Sequence, residues 1–402
     1  MKKRLAFILA LVLALSCLAA CGDTSTGSSG TPGADPSGTT QSGDGGKILF
    51  LSNMNAGPQY EAYVAYMDMT FGNLGYTYEV IYGDESNDPA GNLTAVQNAM
   101  TNDVVGLIAC QDGGLAEIMA EYPDLYVAGF TTDMASVYDE GGTNAAVKDN
   151  DHFLGTVADQ YVDGADVGQM YFNLVVEKGY KKVATICFPP FAYPQLAVAD
   201  EVFRSLVEEY NQTADEPIEV VGEAEVLMFE PLSDAYFMEA ERQDLDCIVA
   251  PLAGCTFVYP ALKSAIASGT ISADTKLLTS GFETDADLLA DFGDDGVISG
   301  ICIVSPESIL FPIVMLDNAI QGKQFGDYTA SEAVDSAMYI IDSKEDMDLV
   351  VSSSLLGTGD AANTTAPWDA IQDLFVRNNE SATYQGLKDF LYSEALTVDG
   401  LS

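Results

Sequence analysis

Few side chains in this sequence could run a reaction. Its 402 residues hold one histidine, His152, and neither a Gly-x-Ser-x-Gly turn nor a phosphate loop occurs, so a Ser-His-Asp or metal-histidine centre is poorly supported. Asp285, Asp287 and Asp291 echo a calcium loop, but its sixth position, which needs glycine, is Ala290 counted from Asp285. Five cysteines lie beyond the N-terminal region: Cys110, Cys187, Cys247, Cys255 and Cys302. Four sit in apolar, strand-like runs and their spacing matches no metal motif, so buried thiols account for them. An odd count cannot all pair within one chain; a Cys247–Cys255 disulfide is the one pairing to weigh. The chain is thus read as a non-enzyme with no cofactor and no metal.

Binding chemistry is better supplied. Asp112 follows an apolar strand-like run, where a carboxylate can accept two hydroxyl hydrogen bonds; a solvated loop aspartate is the alternative. Phe191 and Tyr193 stand among Pro189, Pro190 and Pro194, and prolines stiffen such a loop so that it can present both rings. Beyond the N-terminal region the only arginines are Arg204, Arg242 and Arg377, and the first two fall in helical patterns. Bidentate recognition of carboxylate or phosphate is therefore disfavoured, which leaves a neutral or cationic polar molecule.

Positioning such groups requires a scaffold, and the hydrophobic pattern supplies one. Residues 47–52 read as a short buried strand, and Tyr60, Val64, Met67, Phe71 and Leu74 then recur at helical spacing. A strand at 77–82 follows, then a helix opened by Asp88 as N-cap and Pro89 at the first helical position. Strands at 104–110 and 125–130 complete a parallel α/β sheet covered on both faces. The pattern restarts after Lys148-Asp149-Asn150. A helix over about 157–177 leads to strands at 182–188, 218–226, 247–252 and 276–282, with helices at 196–210, 258–267 and 285–291 between or after them. Two α/β lobes in tandem make a cleft, and ligands of open parallel sheets bind beyond the carboxyl ends of the strands. The loops after Leu51, Cys110, Phe130, Phe188, Leu252 and Phe282 are the ones to watch.

The N-terminus says where the protein works. Lys2, Lys3 and Arg4 precede an apolar run over 5–15 that ends in Leu18-Ala19-Ala20-Cys21. This is a secretory signal, and the run is too short for an ordinary membrane-spanning helix. The Leu-Ala-Ala-Cys ending resembles a bacterial lipoprotein signal, which implies cleavage before Cys21 and lipidation of its thiol. Residues 22–46 are almost all Gly, Ser, Thr, Asp and Pro, a spacer that cannot bury apolar surface. With 61 acidic against 16 basic side chains, the surface repels nucleic acid and anionic lipid, so neither is expected as a partner and the membrane is met through the lipid anchor alone.

The sequence also resembles type I periplasmic binding proteins, the ribose- and sugar-binding components of ABC importers. The likeness is carried in order by Lys47-Ile48-Leu49-Phe50-Leu51-Ser52, Ser86-Asn87-Asp88-Pro89 entering a helix, Val105-Gly106-Leu107-Ile108-Ala109, Lys148-Asp149-Asn150, the stretch from Glu177 to Ala184, and Gly281-Phe282-Glu283-Thr284. It implies two Rossmann-like lobes with parallel sheets joined by a three-segment hinge, with crossings near Asn150, Ser305 and Asp342. The strand at 298–304 should return the chain to the first lobe. The domains implied are a signal peptide over 1–20, a lipidated linker over 21–46, a first lobe of 47–149 plus about 305–341, and a second lobe with tail of 150–304 plus about 342–402. Trp368, Ile371, Leu374 and Phe375 suggest an amphipathic helix packed on either lobe.

By the same resemblance, Asn55, Gln59 and Tyr60 occupy the loop that supplies amide and aromatic groups to sugars; for Tyr60 the first turn of a buried helix is the equal alternative. Thr131, Thr132 and Asp133 stand where relatives carry an Asp-Arg clamp, here without the arginine. Glu283 takes the place of an aspartate that binds ligand. The function implied is a monomeric, lipid-anchored solute-binding protein on the outer face of the cytoplasmic membrane. It captures a small polar solute, sugar or nucleoside first, and hands it to an ABC permease. A ligand sensor that presents its bound form to a membrane receptor is the alternative.

Overall fold

The structure, a computed structural model, describes residues 45–83, 87–132, 134–190 and 193–402. Cys21 and its spacer up to Asp44, together with Asp133 and Phe191, lie outside the described residues.

Strand β1 (Lys47–Leu51) buries its last four side chains completely, as expected of an interior parallel strand. Helix α1 (Pro58–Leu74) starts with Pro58, whose missing N–H would have been unpaired anyway, and stops at Gly75 in the left-handed region (φ 80°). The alternation continues through β2 (Thr77–Ile81), α2 (Pro89–Ala99), β3 (Val104–Ala109), α3 (Leu115–Glu121), β4 (Tyr126–Phe130) and β5 (Phe153–Val157). Asp88 does cap α2, its carboxylate accepting from the Gly91 N–H at 2.6 Å. Next come α4 (Gly164–Glu177), β6 (Lys182–Cys187), α5 (Pro194–Asn211), β7 (Glu219–Val220), β8 (Glu225–Val226), β9 (Cys247–Ala250), α6 (Tyr259–Ala267), β10 (Lys276–Ser280) and β11 (Ile298–Val304). The chain closes with α7 (Leu310–Ile320), β12 (Ala333–Val334), β13 (Met338–Ile341), α8 (Lys344–Ser353) and α9 (Tyr384–Leu391).

Two sheets result. The first has the order β12-β5-β4-β3-β1-β2 and is parallel throughout. The second runs β13-β11-β10-β9-β6-β7, with β8 also on β6, and only β13 is antiparallel. Each sheet is covered on both faces. Ile48, Phe50 and Phe130 enter one core of the first lobe, while Leu49, Leu51 and Val127 enter the other. In the second lobe Ile186 and Ile248 point one way, Val183 and Val249 the other. The five cysteines among the described residues are buried and unpaired, so no Cys247–Cys255 disulfide forms.

The hinge differs from the expected one. Residues 153–157, just ahead of the helix expected from about 157, form β5 and lengthen the first sheet; Gly155 and Thr156 break the apolar run that would announce a strand. Asn150 therefore precedes β5, accepting from the His152 N–H at 2.9 Å, and the crossing falls at 158–162. There Gln160 donates to the Pro251 carbonyl at 2.8 Å. Strand β11 does not return the chain to the first lobe; it lies between β10 and β13, and the chain leaves only at Ser305. The third crossing is 335–337, held where the Ala337 N–H donates to the Leu391 carbonyl at 2.7 Å. Asp342 comes after β13, in the second lobe, where its backbone carbonyl accepts from Lys178.

The tail also departs from the assigned boundaries. Met347 and Val350 of α8 join the second-lobe core, but Leu355, Ile371, Phe375, Leu387, Leu391 and Leu396 are all part of the first-lobe core. Val398 then returns to the second lobe. Trp368 and Phe375 pack at 5.5 Å, in a short helix, Trp368–Ile371, and the turn after it. Thus most of the segment beyond 354 covers the first lobe, with Leu356 still in the second-lobe core, and the chain makes two further passages between lobes, near 355 and 397.

Candidate functional site

A cavity of about 710 Å³ opens beyond the carboxyl ends of the strands, with walls from both lobes. The first lobe contributes Asn53 after β1, Asn87 after β2, Gln111 and Asp112 after β3, Thr131 and Thr132 after β4, and Asp159 after β5. Asp139 and Glu140, on the loop after the short helix Ala135–Tyr138, add two exposed carboxylates. The second lobe contributes Tyr193 and Gln195 at the start of α5, and Phe229 after β8.

Local hydrogen bonds fix the first-lobe wall. Asn87 has φ 55°, a left-handed conformation asparagine tolerates, and bridges two loops: its Oδ1 accepts from the Gly113 N–H at 2.7 Å and its Nδ2 donates to Asp112 at 2.9 Å. Position 113 must be glycine, since a Cβ there would sit 2.3 Å from the Asn87 carbonyl. The second carboxylate oxygen of Asp112 accepts from the Ser136 N–H at 3.1 Å, and its backbone carbonyl from Asn144 Nδ2 at 2.7 Å. Asp112 thus serves first as a tie among three loops and secondarily as a charge on the cavity.

The facing wall is aromatic. Phe188 is buried and packs on Tyr193 (5.8 Å), Phe229 (5.6 Å) and Phe257 (5.1 Å). Tyr193 and Phe229 are the two of this cluster that reach the cavity. A polar wall opposite an aromatic one suits a ligand with an apolar ring face and polar edges.

Reactive groups are few here. The Cys110 thiol borders the cavity, but burial pushes it up to about 12, so it stays protonated and is a poor nucleophile at neutral pH. His152 stacks on Tyr126 at 4.4 Å, at the opposite, amino-terminal edge of the first sheet. No Lys, Arg or His is among the described lining residues. The described arginines are committed elsewhere: Arg204 to Asp200 at 2.8 Å, Arg242 over the Tyr236 ring, and Arg377 to Asp317 and the Leu74 carbonyl.

No protein-family model matches the sequence, and no curated protein matches it. Solved structures do. One is a sugar ABC transport system substrate-binding protein from Bordetella parapertussis, with a TM-score of 0.51 at 11% identity, covering 74% of this chain and 88% of that one. Another is GanP, a glucose-galactose binding protein from Geobacillus stearothermophilus, with a TM-score of 0.52 at 14% identity, covering 75% and 98%. A third is an ABC transporter solute-binding protein from Agrobacterium vitis bound with alpha-D-tagatopyranose, with a TM-score of 0.53 at 11% identity, covering 75% and 95%. The fold is that of a type I periplasmic binding protein.

Within that fold, four of the residues singled out from sequence, Asp112, Thr131, Thr132 and Tyr193, come together on the cavity wall. Asn55, Gln59 and Tyr60 do not line it. Asn53 is the residue of their loop that does, because α1 starts at Pro58 and takes Gln59 and Tyr60 into its first turn. There the Tyr60 hydroxyl accepts from Tyr82 at 3.2 Å. Glu283 is exposed after β10 and borders a separate small apolar recess with Cys255 and Leu288. Partial burial, and then Asp285, hold its carboxyl above the usual range. Capping of the following short helix falls to Asp285, which accepts from the Asp287 and Leu288 N–H groups. Sequence reasoning missed Asn53, Asn87, Gln111, Asp159, Gln195 and Phe229. A signal existed for Phe229, an aromatic just past an apolar run at a strand end; reading 218–226 as one strand hid it.

Proposed function

We propose that this protein is an extracytoplasmic solute-binding lipoprotein that captures a small polar solute between its two lobes for uptake by an ABC transporter. The observation that carries the reading is the cavity itself, built from strand-end loops of both lobes, polar on one side and aromatic on the other. A sugar or nucleoside fits that division first, because each has an apolar ring face and a polar edge. The relatives by structure are described as sugar or solute-binding components of ABC systems, which supports the transport role. Binding without conversion agrees with the protonated Cys110 and the remote His152. The protein works as a monomer and delivers its closed form to the permease. A thermal-shift screen over sugars, polyols, nucleosides and amino acids tests this, since a ligand at about 100 times its dissociation constant adds roughly 2.7 kcal/mol. A screen in which none of these classes raises the melting temperature contradicts the reading.

Anchoring falls to Cys21, through the lipoprotein-like signal and the polar spacer to Gly46. Among the described residues no helix is long and apolar enough to cross a membrane. Cys21→Ala is therefore expected to leave the body folded but free it from membranes. Fractionation after a high-salt wash decides it, and retention of the variant on the membrane refutes the anchor.

A further inference from the structure

The tail does more than cover the first lobe: it is bonded to the crossings between the lobes. At the second crossing, Glu307 follows Ser305 and accepts from Thr364 Oγ1 at 2.9 Å and from the Thr365 N–H at 3.3 Å. At the third, the Leu391 carbonyl accepts from Ser336 Oγ at 3.2 Å as well as from the Ala337 N–H. Tyr392 there donates its hydroxyl to Asp335 at 2.9 Å. The first crossing is reached through the same carboxylate, whose other oxygen accepts from the Val162 N–H.

A segment bonded to a hinge restrains it only if the segment is itself fixed to one lobe. Ala366 and, on α9, Leu387 and Leu391 have no exposed surface and belong to the first-lobe core. Tyr66 of α1 also donates to the Ala366 carbonyl at 3.0 Å. Thr364, Thr365, Leu391 and Tyr392 are therefore anchor points on the first lobe. Beyond them Leu396 still lies in the first-lobe core and Val398 in the second, so the tail ends by passing between the lobes itself.

Hinge motion is absorbed by a few residues that change φ and ψ. Here such residues are bonded down, partly through the buried Glu307 and half-buried Asp335 carboxylates, so a departure from the observed lobe separation strains or breaks hydrogen bonds to charged groups.

We propose that residues 355–397 are a hinge brace, which holds the solute-free protein near one lobe separation and keeps the mouth of the cavity at a set width. A protein held in this way spends less of its time at separations unsuited to binding, which raises its apparent affinity. A bound solute still draws the lobes together, because closure is driven by the contacts it makes.

The brace is tested without any solute, so its failure and that of solute capture are separate results. Spin labels on Glu117→Cys and Thr256→Cys report the separation in the full chain in detergent. Glu117 stands on the first turn of α3 and Thr256 in the short helix Gly254–Phe257, both exposed past the carboxyl ends of strands in opposite lobes. Neither lines the cavity, and the described native cysteines are buried away from the label. Double electron–electron resonance should give a narrow distance peak for this labelled parent. In Asp335→Ala the share of molecules outside that peak should rise about threefold or more, the weight of one ordinary hydrogen bond. Tyr392→Phe cuts the tail's arm but leaves the Val162 bond, and should broaden the peak in the same way to a smaller extent. Tyr392 is 53% exposed, so this variant keeps the fold and decides alone if Asp335→Ala does not fold. Thr383→Ala removes the cap of α9, whose Oγ1 accepts from the Gly386 N–H at 3.0 Å, and should lower the melting temperature without moving the peak. Hinge variants whose peaks match the parent overturn the brace. So does a broad peak in the parent, or a Thr383→Ala peak that broadens as much as those of the hinge variants.

Discussion

A chain ended after Ser354 is expected to yield no soluble folded protein. The segment it would lose contributes Leu355, Ile371, Phe375, Leu387, Leu391 and Leu396 to the first-lobe core, each with no exposed surface. At about 1.5–3 kcal/mol for each such side chain, their burial represents roughly 9–18 kcal/mol. Whole domains are stable by only about 5–15 kcal/mol. Removal also uncovers the α1 and α7 surfaces beneath and frees the third crossing, whose Ala337 N–H is held by the Leu391 carbonyl. Expression and circular-dichroism melting of the truncated chain check this. A cooperative transition within a few degrees of the full chain would mean that the segment is an appendage and not part of the lobe.

Glu307→Ala is expected to cost about 1–3 kcal/mol or more, the range for leaving a buried hydrogen-bonding group unsatisfied. Glu307 is fully buried just past the Ser305 crossing. Its carboxylate accepts from Ser305 Oγ at 2.6 Å, from Thr364 Oγ1 at 2.9 Å and from the Thr365 N–H at 3.3 Å, which joins the hinge to the tail. Alanine leaves those three donors unpaired and a void beside Tyr66 and Tyr339. Burial raises the carboxyl above its usual value, while the hydrogen bonds from Ser305 and Thr364 pull the other way. The sign of the pH effect follows. A carboxyl whose folded value exceeds its unfolded one binds its proton more tightly when folded, so its contribution is fully present below the unfolded value and is lost as pH rises through the folded one. Relative to Glu307→Gln, which cannot titrate, the wild type should therefore lose melting temperature on going from about pH 4 to pH 7. A constant difference between the two across that range would show that Glu307 does not titrate in this way.

The two-lobe fold was legible because its signals are local. Apolar runs bounded by turn residues mark β1, β3, β4, β6 and β9, and Asp88-Pro89 announces α2 without help from tertiary structure. The hinge was less legible. Strand β5 is interrupted by Gly155 and Thr156 and β12 has only two residues, so neither stands out as an apolar run, and the sequence points to a first crossing near Asn150 and not at 158–162. The tail was illegible for a different reason: Ile371, Phe375 and Leu387 are visibly apolar, but which lobe they cover depends on the core they meet across some 300 residues of chain. At the site, Asp112, Thr131 and Tyr193 could be found because each follows a readable strand or proline-rich turn. Asn87 and Gln195 could not, since ordinary amides become site residues only when loops distant in sequence converge. Glu283 shows the converse error, a position that follows a strand end yet faces a separate recess.

Closure on a solute is the centre of the account, and small-angle X-ray scattering on one sample with and without a saturating ligand from the thermal-shift screen tests it most directly. Lobes joined by crossings at 158–162, Ser305 and 335–337 and by the tail's two further passages, and separated by an open cavity, should come together on the ligand, so the radius of gyration falls on binding. An unchanged radius of gyration alongside calorimetrically confirmed, saturated binding would contradict capture by closure.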